Sequence, residues 1–320
     1  MPSYSGVWSL TAQYQAQGAG NWPLPVSAFI GLFAGGSLGQ NVIDRIYIPS
    51  TGNAVDFGDL TIPRKELGSA ASATRGVFIG GNSSNVMDYV TFSTTGNATD
   101  FGDVTSASVE SVRLPPSVCG SSTRGIFGGG DYNTLGVVNI IQYITIATTG
   151  NSTDFGDLLA VTSSSSSCSS PTRGVFGGGE TTGGTAINVI QYVTIASTGN
   201  STDFGDLAGT RGSLAACSSS TRGLFGGGRN SGGNRDQIYY ITIASTGNTT
   251  DFGILDNGIL APAACSSSTR GVFGGGLTLG NEINTLQYVT IDTTGNTTDF
   301  GDLTFAKDSL AACSNCHGGL

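Results

Sequence analysis

Histidine is almost missing from this sequence: 320 residues hold one, His317. That scarcity argues against catalytic sites that need an imidazole base and against metal centres built from several histidines. Charge is also scarce, at 11% of residues, and the 13 Lys and Arg are outnumbered by 22 acids for a net charge of −9. Phosphate-backbone binding needs clustered cations, so a nucleic-acid partner is not expected. No apolar run approaches the length of a membrane span, and MPSYSGVWSLTAQYQ lacks a basic end followed by an apolar stretch, so neither membrane insertion nor a secretory signal is expected. Tryptophan occurs twice, at Trp8 and Trp22, both near the beginning.

What is abundant is glycine, 51 residues, far above the usual share of about 7%. The glycines recur at fixed places in a long period. The string TGNAVDFGDL from Thr51 returns, with small changes, from Thr95, Thr149, Thr198, Thr246 and Thr294, and a second string, TRGVFGGG and its variants, keeps step with it. The glycine in third place of that second string falls at Gly31, Gly76, Gly125, Gly174, Gly223 and Gly271, in steps of 45, 49, 49, 49 and 48 residues. Eleven of the 22 acids belong to the first string, so the acidity is largely a property of the repeat. A period of this size marks a propeller or solenoid. Asp-Phe-Gly, which in isolation reads as a kinase magnesium site, is here architecture, and Asn-x-Thr or Asn-x-Ser at Asn97, Asn151, Asn200, Asn248 and Asn296 reads as turn chemistry before it reads as glycosylation.

One repeat, residues 213–255, reads as four short strands: SLAACSSS, GLFGGG, QIYYITIAS with its period-two alternation, and TTDFGIL after a Thr-Gly-Asn turn. Four antiparallel strands per repeat make a propeller blade. The pattern resembles kelch-type β-propeller repeats over roughly residues 24–320, with phenylalanine (Phe57, Phe101, Phe155, Phe204, Phe252, Phe300) where kelch repeats usually carry a tryptophan. The wording YVTIASTGNxTDFGDL with TRGVFGGG is also similar to kelch-like repeats in virion proteins of tailed phages, marine ones especially. The first resemblance implies an all-β, six-bladed propeller; the second implies a virion component. Galactose oxidase shares kelch-like blades, but its copper site needs histidines that this chain does not have.

The first repeat lacks an inner strand, and SLAACSNC at the far end matches SLAACSSS at 213–220. The C-terminal strand is therefore expected to complete the first blade and close the ring, removing exposed edges. Ala70, Cys119, Cys168, Cys217, Cys265 and Cys313 share one repeat position and read as small buried hydrophobes, too widely spaced for disulfides. The C-x-x-C-H string at 313–317 contains the last of them, so haem attachment is not expected, and neither metal nor other cofactor is implied.

The acids Asp100, Asp154, Asp203, Asp251 and Asp299 are expected to pair with Arg75, Arg124, Arg173, Arg222 and Arg270, since arginine forms bidentate pairs with carboxylates. In an up-and-down blade the STR and TGN connections share one face and are nearly constant; the other two connections share the opposite face and vary. Partners are expected there, through Tyr132, Asn133, Glu180, Thr181, Arg229, Asn230, Arg235 and Asn281, in hydroxyl- and amide-rich loops suited to a glycan or a polar protein surface. Residues 1–23, with Trp8 and Trp22, read as a docking segment toward another virion protein or a second copy. The expectation is a non-enzymatic structural and binding module of a virion, such as a tail fibre, tip or surface decoration. A lectin or adhesin at a cell surface, or a cytoplasmic kelch-type scaffold, is the alternative.

Overall fold

The computed structural model describes residues 29–37, 39–105, 112–114, 116–133 and 135–320, so the expected docking segment with Trp8 and Trp22 lies outside the described residues. Among the described residues every regular element is a β-strand. In the fifth repeat the strands are Ala215–Ser218, Arg222–Gly226, Gln237–Thr242 and Thr250–Ile254, each antiparallel to the next. These are the four segments that the sequence marks. Six such sheets form, one per repeat, and the chain is a six-bladed β-propeller.

Its first blade takes its inner strand, Ala311–Ser314, from the far end of the sequence: Leu32 faces Cys313 and Ala34 faces Ala311. The joined strands share one core, where Leu32 and Cys313 are buried with Phe78 and Phe92 of the second blade.

The repeated strings are the joints between blades. In every blade the ladder slips at Asp-Phe-Gly: Gln142 faces Asp154 and Ile141 faces Gly156, so Phe155 is the extra residue of a β-bulge. The bulge turns the phenylalanine inward, and all six are 2–3% exposed. The following TGN turn docks on this bulge from the next blade. Gly150 N–H donates to the Phe101 carbonyl at 2.7 Å, and Asp103 N–H donates to Asn151 Oδ1 at 2.9 Å. All six joints repeat this pair of bonds, the last being Gly52 to Phe300 and Asp302 to Asn53 across the closure. The asparagine is thus present for its side-chain oxygen and not for a left-handed backbone. Because the donor is a backbone N–H, Ile254 replaces aspartate without loss of the bond to Asn296.

The glycine of the bulge has a steric reason. Gly156 has φ +151°, and a Cβ there would lie 2.5 Å from backbone atoms of Gly199 in the next blade.

The cysteine ring has one as well. Cys168 Sγ would lie 2.4 Å from a Cβ at Gly223, and Cys119, Cys217, Cys265 and Cys313 meet Gly174, Gly271, Gly31 and Gly76 in the same way. Each thiol fills the gap left by the next blade's repeat glycine. All five are buried and unbridged, and burial raises Cys119, Cys217 and Cys313 to about 12, so they stay neutral. Gly223→Ala should therefore destabilise the ring by about 1–3 kcal/mol, as overpacking does. The double change with Cys168→Gly should recover most of the loss, whereas Cys168→Ala should recover only part, because even the alanine Cβ at Ala70 lies 2.7 Å from a Cβ placed at its facing glycine, Gly125. Denaturant midpoints of the four proteins in this cycle check the coupling; additive losses would contradict it.

Two buried ion pairs latch the long connections to the following blades. Arg64 Nη2 lies 2.5 Å from Asp88 Oδ2 with both side chains fully buried, and Lys307 Nζ lies 2.9 Å from Asp44 Oδ2. At the position of Asp44 and Asp88 the third, fourth and sixth blades carry Gln142, Gln191 and Gln287.

Candidate functional site

The two faces of the ring differ in what their connections have left to offer. On the face of the STR and TGN connections, turn backbones and asparagine oxygens are consumed in the inter-blade joints just described. The opposite face carries the variable connections, and these are also built more firmly than loops of free chain. Short hairpins project from it, Arg229–Asn230 with Gly233–Asn234 in blade five and Leu277–Thr278 with Asn281–Glu282 in blade six. Backbone bridges tie their bases to the neighbouring connections, Gly212 to Arg229 and Leu260 to Leu277.

This construction changes the roles of several residues expected to bind. Tyr132 is 1% exposed and belongs to the core beneath its hairpin, and burial pushes its hydroxyl up to about 12. Glu180 is 7% exposed and forms an ion pair with Arg229 Nε at 3.3 Å. Arg235 donates to Asn230 Oδ1. These side chains hold hairpins in shape. Asn133 and Asn281 are exposed, and Thr181 is partly so, at the positions expected for contact with a partner. The face also bears apolar side chains that the sequence pattern does not single out: Leu279 is 94% exposed and Phe305 55%.

The expected arginine–aspartate pairs do not form. Asp100, Asp154, Asp203, Asp251 and Asp299 are exposed on the outer strands. The guanidinium groups of Arg75, Arg124, Arg173, Arg222 and Arg270 lie over the rings of Tyr89, Tyr143, Tyr192, Tyr240 and Tyr288, at 4.2–4.4 Å. Each also donates to a carbonyl of the next blade, Arg75 to Ile146 at 2.9 Å and Arg270 to Ile48 at 2.9 Å. The tyrosine in turn meets the bulge phenylalanine edge-on, as Tyr89 meets Phe101 at 6.1 Å. A cation over a ring face with a fixed acceptor is satisfied without a carboxylate, and an exposed carboxylate is satisfied by water. The arginines are inter-blade straps.

The axis of the ring is a funnel that opens on the variable face. Among the described residues its mouth is a collar of five at one repeat position, Glu66, Ser164, Ser213, Ala261 and Ser309, all left-handed with φ between 51° and 57°. They are joined head to tail: Ser213 N–H donates to Ser164 O, Ala261 to Ser213, Ser309 to Ala261 and Glu66 to Ser309, at 2.7–3.2 Å. Below the collar is a cavity of about 180 Å³ lined by the inner strands, chiefly serine and alanine. Ser117 and Ser167 are among its lining residues; both hydroxyls are buried, that of Ser117 without a hydrogen-bond partner and that of Ser167 in contact with the Cys119 thiol.

The narrow end is closed. A serine ladder crosses five blades: Ser314 Oγ donates to Ser266 O, Ser266 to Ser218, Ser218 to Ser169 and Ser169 to Gly120 O, at 2.6–2.8 Å. Ala71 and Gly120, in blades two and three, lack the hydroxyl, and the last residues fill the gap. His317 Nε2 bonds to Ala71 O at 2.8 Å, while Gly319 N–H donates to His317 Nδ1. A Cβ at Gly319 would lie 1.9 Å from Gly120 O, so the plug sits directly on the inner strands.

The bond from Gly319 requires Nδ1 to be unprotonated, which leaves Nε2 as the donor to Ala71, and enclosure lowers the ring's pKa below 6.5. A histidine whose folded pKa is depressed adds stability above its unfolded pKa, and that contribution is lost as pH falls below about 6.5 toward the folded value. As the single histidine, His317 gives one set of ring resonances. Nitrogen-15 NMR should show the Nε2–H tautomer at neutral pH and a midpoint below that of a free histidine; a midpoint at or above it would contradict the plug geometry.

Comparison with protein-family models finds no match, and comparison with curated proteins finds none.

Proposed function

We propose that this propeller is a non-enzymatic structural and binding module that meets its partner with the variable face. The observation that carries the reading is the asymmetry of the ring: the funnel opens on the face whose connections differ between blades, while the turn backbones and asparagine oxygens of the other face are spent on joints. A rigid scaffold with variable connections at one end is how many recognition proteins are made. The partner is a host-surface glycan or a neighbouring virion protein, and the setting is a virion, as a tail fibre, tip or surface decoration. The likeness of the repeat wording to phage virion repeats supports that setting. Exposed Leu279 and Phe305 support the protein partner as second reading. In a cell-surface adhesin or a cytoplasmic scaffold the same face would serve.

The test charges each face in turn. Thr182→Glu, Ser231→Glu and Leu279→Glu together change exposed tips and spare Glu180 and Arg229. Exposed substitutions of this kind shift stability by less than about 0.5 kcal/mol, so the fold should survive and attachment should fall by more than about tenfold. Thr149→Glu, Thr198→Glu and Thr246→Glu charge the opposite face and should leave attachment unchanged. The reverse pattern would place recognition on the wrong side.

A further inference from the structure

We propose that two copies of this chain pair through blade one, in a two-fold contact where Arg45 of each copy meets Asp56 of the other. Blade one departs from the repeat at four neighbouring surface positions. Tyr47 stands where the other five blades have threonine, and faces Ile30 across the ladder. Val55 also stands where they have threonine, and faces Arg45. Arg45 itself takes the place of the tyrosine that lies under an arginine elsewhere, and Phe29 that of the threonine before the second strand. Tyr47 and Arg45 are two residues apart on one strand, so they share a face of the sheet, and Val55 is the direct cross-strand neighbour of Arg45. Phe29, Tyr47 and Val55 are 42%, 43% and 49% exposed. One exposed apolar residue is ordinary; three replacements of threonine in one corner of one blade make a patch that suits a protein contact.

Closure of the ring does not use these side chains. Ile30 N–H donates to Asn315 Oδ1 at 2.8 Å, and Ile48 N–H donates to the Phe29 carbonyl at 2.9 Å, a bond that any residue could accept. Arg270 reaches the Ile48 carbonyl as its counterparts do in the other blades.

Charge selects the occupant. Arg64, Lys65, Arg229 and Lys307 pair with acids, and six other arginines lie over tyrosine rings. Among the described residues Arg45 has neither kind of neighbour. It is half-buried, and burial lowers its pKa with no carboxylate at hand to oppose the shift. Such a cation is best satisfied by a carboxylate from outside. Residues 1–28 contain no acid, so that segment does not supply one. A second copy of this acidic chain does. Asp56 follows Val55 on the outer strand and is exposed. Val55 is therefore flanked by a cation across the ladder and an acid along the strand. A two-fold axis beside Val55 brings each arginine to the other copy's aspartate and lays Val55 and Tyr47 against their counterparts, the self-complementary pattern of an isologous contact. Tyr47 leads into the TGN turn at 51–53, so the contact lies at the joint end of the blade and leaves both variable faces free.

Sedimentation velocity of the full chain tests this. A reversible dimer with Kd in the range of about 10–100 µM is expected, a contact of small area, so that dilute solutions hold the monomer. Arg45→Asp and Asp56→Arg should each weaken it by about tenfold or more, and the two changes in one chain should restore it to within about threefold, since the ion pair is rebuilt with its charges exchanged. Tyr47→Thr with Val55→Thr, which brings in residues that five blades already carry, should weaken the dimer by about tenfold and leave the melting temperature unchanged. A chain that stays monomeric well above that range, a dimer indifferent to both charge reversals, or a double reversal no better than the single ones overturns the inference. Loss of the dimer on Trp8→Ala with Trp22→Ala, the charge reversals being silent, would put the contact in residues 1–23 and overturn it as well.

Discussion

A chain cut after residue 308 is expected to aggregate or to lose more than about 5 kcal/mol, the lower end of a domain's whole stability. The cut removes the inner strand of blade one. It uncovers the backbone edge of Ile30–Ala34, and an open edge invites pairing between molecules. It also takes away the buried side chains of Leu310, Ala311 and Cys313, and with Cys313 the atom that fills the space at Gly76. In the other blades three residues connect the inner strand to its neighbour, as Ser219, Ser220 and Thr221 do. Fusing residues 309–314 to the N-terminal side of Ile30 through a Ser-Ser-Thr link should therefore restore a monomer with a single cooperative melt. Light scattering and denaturant unfolding of the three chains check this; a truncated chain that melts like the parent would show that closure does not depend on that strand.

Arg64→Ala should cost about 3–5 kcal/mol, because it leaves Asp88 buried without its cation. The guanidinium also donates to the carbonyls of Gly80 and Val86, so several acceptors are orphaned together. The repeat supplies its own rescue. At the equivalent place Thr162 precedes a blade that carries Gln191, and Gln191 Oε1 accepts the Leu159 N–H at 2.7 Å, much as Asp88 accepts the N–H of Thr61. Arg64→Thr with Asp88→Gln rebuilds that arrangement and should recover most of the loss, as replacement of a buried ion pair often does. Urea midpoints of the single and double variants decide it. A double variant no better than Arg64→Ala would mean that the arginine acts through its packing alone.

The blades were legible because a strand announces itself by alternation and a ring by repetition. The shared inner strand was legible for the same reason, since SLAACSNC has a copy at 213–220 to be compared with. What stayed hidden has no local signature. Nothing in Ser213 or Ala261 marks a left-handed backbone, which arises only when connections of successive blades bond to one another around an axis. The destination of the arginines was misread because pairing by charge ignores where each group stands: Asp154 is in water and Tyr192 lies under Arg173. The buried pairs do leave a trace, as aspartate at two blades where three others have glutamine and one has Tyr239, with Arg64 and Lys307 in the connections before them. Tyr132 and Glu180 were assigned to the surface because they belong to variable segments, and variability does not distinguish a hairpin's tip from its base.

The recognition face is tested most directly by hydrogen–deuterium exchange of the intact chain, alone and bound to its native partner, whether receptor-bearing cell envelope or adjoining virion protein. The exposed tips and the connections at 61–67, 159–165, 208–213, 229–234, 256–262, 277–281 and 304–309 should gain protection on binding, with the collar among them, while the TGN turns at 51–53, 95–97, 149–151, 198–200, 246–248 and 294–296 exchange as in the free chain. Protection confined to the TGN turns, with the collar and hairpins unchanged, would contradict the account.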